Sequence, residues 1–89
     1  MSVVDNYVAR IDEACGEEKD LIVIFKYDKK DEAIKKILEK AKREKTVSVM
    51  IFELTFRNTS FRVYATGKAI FRKLKGKDEL RSILTELLS

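Results

Sequence analysis

Apolar positions along the chain follow two periods. Toward both ends they recur every three or four residues, as one face of a helix requires, and through the middle they alternate or run together as in strands. Val4, Tyr7, Val8, Ile11 and Cys15 set a first helical stripe over residues 3–15, with Gly16 as its stop. Ile34, Ile37, Leu38 and Ala41 set a second over residues 29–44, with Asp28 placed to cap it. Leu80, Ile83, Leu84, Leu87 and Leu88 set a third over residues 77–88, whose first turn holds Asp78 and Glu79 where the helix dipole favours carboxylates. Residues 20–27 form a strand in which Leu21 to Phe25 are apolar on both faces, the pattern of a strand covered on both sides.

Residues 46–75 read as three consecutive antiparallel strands, divided at Asn58-Thr59 and Gly67-Lys68. If each division is a two-residue loop, Phe56 lies opposite Phe61, Leu54 opposite Val63, Ala65 opposite Ile70, Tyr64 opposite Phe71 and Arg62 opposite Lys73. One face is then Phe52, Leu54, Phe56, Phe61, Val63, Ala65, Ile70 and Leu74, interrupted only by Arg72. That face is core, joined to Ile34, Ile37, Leu38, Ile83, Leu84 and Leu87 of the helices. The expected fold is a single α+β domain, residues 1–89, in the order α-β-α-β-β-β-α. It has a four-stranded, mostly antiparallel sheet with a three-strand meander and helices packed on its apolar face. The strand, crossover helix and strand that open this order favour right-handed parallel pairing, or a split arrangement with another strand between.

Composition narrows the class. With 89 residues, 45% hydrophobic and 38% charged, the chain suits one globular domain rather than a disordered segment. No apolar run is long enough to span a bilayer, and the first residues lack the basic-then-apolar pattern of a secretory signal, so the expected location is cytoplasmic with no membrane partner. The absence of Pro, His, Gln and Trp, with heavy Lys and Glu use, matches the bias of proteins from hot environments.

Chemistry is sparse. No histidine and a single cysteine remove the usual zinc ligands, the commonest general base and any internal disulfide, so no metal site and no cofactor is expected. Cys15 falls at the negative end of its helix, where a thiolate is disfavoured, and reads as a buried small side chain. The three glycines stand apart, which excludes a phosphate-cradling loop. Glu53, the only carboxylate of the meander, reads as a cross-strand contact beside Tyr64 and Arg62 rather than a catalytic group. The expectation is therefore a non-enzymatic protein.

One surface remains to be explained. Residues 57–75 hold six Lys or Arg and no Asp or Glu, within a chain of net charge +4. On the face opposite the core, Tyr64 and Phe71 can stack on bases while Arg57, Arg62, Lys73 and Lys75 neutralise phosphates. The functional expectation is a small accessory or interaction subunit of a nucleic-acid-handling complex, binding single strands on this face. The alternative is a protein-interaction module, a homodimer or a complex with another protein, with no nucleic-acid role. Two observations favour that alternative: basic residues also protect exposed strands from unwanted pairing, and the first helix, in a segment (residues 1–20) with six acidic and two basic side chains, could lie across the basic face. The lysine-rich outer side of the second helix reads as a solvated face.

Overall fold

The computed structural model describes residues 3–13, 20–72 and 74–89. Their elements are α1 (Val3–Tyr7), β1 (Val8–Glu13), β2 (Leu21–Phe25), α2 (Lys30–Lys40), β3 (Lys42–Ser48), β4 (Ile51–Phe56), β5 (Thr59–Tyr64), β6 (Lys68–Phe71) and α3 (Lys77–Leu88). The strands form one six-stranded sheet in the order β1-β2-β6-β5-β4-β3, antiparallel at every pairing. The class is α+β, as the periodicities indicate, but the four-stranded sheet is overturned, because two further strands flank it.

Each added strand has a physical reason. The expected first helix over residues 3–15 is helical only to Tyr7, after which β1 pairs with β2 through a bulge between Val8 and Arg10. An isolated edge of the sequence Leu-Ile-Val-Ile-Phe would invite pairing with other chains, and β1 covers it with a strand carrying Arg10, Asp12 and Glu13. Tertiary context thus overrides a helical spacing that was only short-range. Cys15 and Gly16 lie outside the described residues. At the other edge α2 stops at Lys40, Ala41 turns extended (φ −86°, ψ 153°), and residues 42–48 become β3 instead of a last helical turn. The long strand expected from residue 46 is broken at Val49–Met50, which turns the chain from β3 into β4. Asp28 does not cap α2; Lys29 holds the cap position without a side-chain hydrogen bond.

The crossover through α2 joins β2 to β3, which run in the same direction but are separated by β6, β5 and β4. Neither the parallel pairing nor a split by one intervening strand occurs, because three strands of the meander fill the space between them.

Hairpin geometry decides which side chains face the core. The β4–β5 loop is Arg57-Asn58, both at positive φ (53° and 62°), one residue earlier than Asn58-Thr59. Two left-handed residues in a two-residue loop match the twist of the strands they join, and asparagine tolerates that conformation better than threonine. Moving the loop by one residue shifts the pairing by two, so Leu54 meets Phe61 and Phe52 meets Val63 with both faces preserved. The β5–β6 loop has three residues, Ala65 to Gly67, and Gly67 closes it at φ 115° with its N–H donating to the Tyr64 carbonyl at 3.0 Å. Here the shift is odd. Phe61 pairs with Phe71, Arg62 with Ile70 and Val63 with Ala69, so β6 presents the opposite side from that expected. Ala69 and Phe71 are core; Ile70 and Arg72 point the other way.

A Cβ at position 67 would stand 3.1 Å from Lys30 Cδ, on a backbone angle that side chains rarely adopt. Gly67→Ala is accordingly expected to cost about 1–3 kcal/mol, read as a lowered midpoint in chemical denaturation.

The core occupies one side of the sheet. Leu21, Val23, Phe25, Leu54, Phe61, Val63, Ala69 and Phe71 meet Val4 and Tyr7 of α1, Ala33, Ile34 and Ile37 of α2, and Leu80, Ile83, Leu84, Leu87 and Leu88 of α3 in one cluster. The stripes of α2 and α3 are those their spacing predicts. Polar contacts tie the helices together: Arg81 donates to Asp5 at 3.1 Å, and Lys40 Nζ donates to the Glu86 and Ser89 carbonyls at 3.0 and 2.6 Å, serving the negative end of α3.

Candidate nucleic-acid interface

All three helices join the same cluster, so among the described residues nothing packs on the sheet's other side. The first helix does not lie across the basic face; Val4 and Tyr7 are buried beside α3. The strand register lays the open face out as a grid. One row runs Asp12, Ile22, Ile70, Arg62, Glu53, Lys45 across the sheet, and the next runs Arg10, Ile24, Lys68, Tyr64, Ile51. Beyond the first row lie Ser60, Thr55 and Lys42, paired in register, with Arg72 beside them.

The expected site residues separate on this grid. Arg62 and Tyr64 lie on the open face, both half-buried by their neighbours. Phe71 does not. It is fully buried and stacks on Phe61 with centroids 4.5 Å apart and planes 15° apart, a consequence of the three-residue loop. Arg57 belongs to the β4–β5 loop and reaches back to α3, pairing with Glu86 at 3.0 Å. Lys75 is exposed in the segment before α3, beside a hollow lined by Glu13, Asp78 and Glu79, away from Tyr64. Lys73 lies outside the described residues.

Other residues take the vacated places. Lys68 sits with its Nζ 4.9 Å from the Tyr64 ring centroid, and Arg72 is exposed next to Glu53 and Arg62. Both belong to the acid-free run, so the signal was present; the expected loop at Gly67-Lys68 kept Lys68 out of the strand, and the register put Arg72 on the core face. Lys42 and Lys45 had no such signal, since Lys42 read as part of the second helix and Lys45 fell between that helix and the meander.

Electrostatics centre on Arg62 and Glu53. Arg62 Nη2 donates to Glu53 Oε1 at 2.5 Å, the cross-strand contact expected for Glu53, now directly opposite in register. That hydrogen bond holds the Glu53 carboxyl below the usual range; partial burial opposes it, and the charges of Arg62, Lys45 and Arg72 reinforce it. The Arg62 guanidinium is held above its ordinary value by its hydrogen bonds to Glu53 and then to Tyr64. Beside the pair lies a hollow of about 190 Å³ lined by Glu44, Thr55, Ser60, Ile70 and Arg72 as well.

Among the described residues no group of three or more His, Cys, Asp or Glu is arranged to hold a metal ion, and no helix is long and apolar enough to cross a membrane. No protein-family model matches the chain, and comparison with curated proteins and with solved structures yields no match.

Proposed function

We propose that the protein is a non-enzymatic, cytoplasmic accessory subunit of a nucleic-acid-handling complex that binds single strands on the open face of its sheet. One observation carries this reading: the helices share one side, leaving the half-buried Tyr64 on the open face among Arg10, Lys42, Lys45, Arg62, Lys68 and Arg72, which outnumber Asp12, Glu44 and Glu53. A flat face with an aromatic ring and surrounding cations suits unstacked bases, whereas a duplex would offer it mostly phosphate.

The test is fluorescence anisotropy with a mixed-sequence oligonucleotide across a salt series. Three or four phosphate contacts give a log-log slope of about −2 to −3, at about −0.7 per phosphate on a single strand. Tyr64→Ala is expected to weaken binding by about 1–3 kcal/mol while leaving that slope in place. Arg72→Ala is expected to reduce the slope by about 0.7. Absence of binding at low salt removes the reading.

A specific feature favours a second reading. Ile22, Ile24 and Ile70 adjoin one another on the open face, only half covered. A second copy seated there would make the protein a homodimeric interaction module, and sedimentation without nucleic acid separates the two: a dimer whose formation abolishes strand binding supports this one.

A further inference from the structure

A carboxylate in the middle of a phosphate-binding surface works against that surface, yet Glu53 stands in the central row between Arg62 and Lys45. An ionised carboxylate only accepts hydrogen bonds, and the guanidinium beside it only donates. Arg62 engages Glu53 through Nη2 and Oε1 and also hydrogen-bonds Tyr64, which leaves Oε2, a second lone pair on Oε1 and the guanidinium N–H groups outside those two bonds for a ligand. Toward the adjacent hollow the pair therefore offers a donor beside two acceptor positions. Ile70 supplies an apolar wall, and Arg72 with Ser60 supplies a cation and a hydroxyl for a neighbouring phosphate.

Resting on the single-strand reading above, we propose that this hollow is a base-reading subsite for guanine. The Watson–Crick edge of guanine presents O6 as acceptor followed by the N1–H and N2–H donors, the complement of an arginine beside a carboxylate. The other bases mismatch. Adenine and cytosine set a ring nitrogen acceptor where the carboxylate needs a donor, and thymine or uracil offers a single N–H between two carbonyls. Burial of part of the pair makes each mismatch costly, because an unpaired acceptor loses its water. Tyr64, next on the same face of β5, stacks the adjoining base, so one strand places guanine at Glu53 and any base at Tyr64.

The experiment measures anisotropy with short oligothymidines that differ at one central position: thymine, guanine, adenine or inosine. Guanine is expected to bind at least about tenfold tighter than thymine, in line with a good bidentate base contact, and inosine, which lacks the N2 amino group, to lose most of that gain. Glu53→Gln removes a negative charge from the face and puts an N–H against the guanine donors. It is expected to tighten binding of the all-thymine strand while abolishing the guanine preference. A purely structural Arg62–Glu53 pair would change the melting temperature and leave base preference untouched. Equal affinity of the unaltered protein for all four strands, or a guanine preference that survives Glu53→Gln, overturns the subsite and leaves the single-strand reading in place. No binding to any strand overturns both. The inosine comparison uses the unaltered protein, so the proposal stays exposed to refutation even if the variant fails to fold.

Discussion

Phe71→Ala is expected to cost about 3–5 kcal/mol of folding stability. The side chain is fully buried at the junction of β5, β6 and β2, with its ring stacked on Phe61 and its backbone paired to Leu21. Truncation removes the ring and the stacking partner of Phe61 together, and a sheet held on both sides by neighbouring strands closes little around the gap. At roughly 4–8 °C per kcal/mol for a domain of this size, the melting temperature falls by more than about 12 °C. On the proposed single-strand reading, binding by the fraction that remains folded is expected to be unchanged, since Phe71 faces the helices. An unchanged melting temperature with weakened binding would instead put the ring on the open face.

Leu84→Ala carries the second large effect, about 2–5 kcal/mol. Leu84 is buried in the middle of the α3 stripe, in the cluster that joins α1, α2 and the sheet, so the cavity opens where three layers of contacts meet. Urea denaturation is expected to show a lower midpoint with an unchanged slope, the signature of lost packing rather than of an altered unfolded state. Full retention of the midpoint would mean that α3 does not rest on the sheet.

The two variants also mark what could be read in the chain. Leu84 was legible because five leucines and isoleucines at helical spacing have one solution, a helix with that face inward. The β4–β5 faces were legible even though the loop was placed one residue late, because an even change of register keeps every side chain on its side. Phe71 was lost to an odd change. Its clue was Arg72, the single charge interrupting the core face under the two-residue loop; with Gly67 as the third loop residue the interruption vanishes and Arg72 turns outward.

The missing strands had weaker signals. Val49–Met50 turns the chain without any Gly, Asn, Asp or Pro, so nothing divides β3 from β4 in the sequence. Residues 42–46 show no alternation, because an exposed edge strand has little to bury. In β1, Val8 and Ile11 suit a helix as well as a bulged strand, and only the need of β2 for a partner decides between them. The candidate site suffered with the register: the hairpin pattern placed Arg62 and Tyr64 on the open face, while Lys42, Lys45, Ile22 and Ile24 reach the same face only through strands far apart in the chain.

The order of the sheet also separates near neighbours from distant ones. From β3 to β6 every strand pairs with the next along the chain through a tight turn, and β1 pairs with β2, its own neighbour in sequence. Among the described residues the β2–β6 ladder alone joins these two groups of strands, with α2 and the meander between its strands. Closing so long a loop loses more chain entropy than any turn in the sheet, and contacts of that range slow folding. The meander is therefore expected to assemble early, with the docking of β2 as the slow step, which a refolding experiment on a variant weakened in β2 would check. Once docked, β2 covers an open edge of β6, so a chain caught before that step carries exposed strand edges able to pair with a second chain.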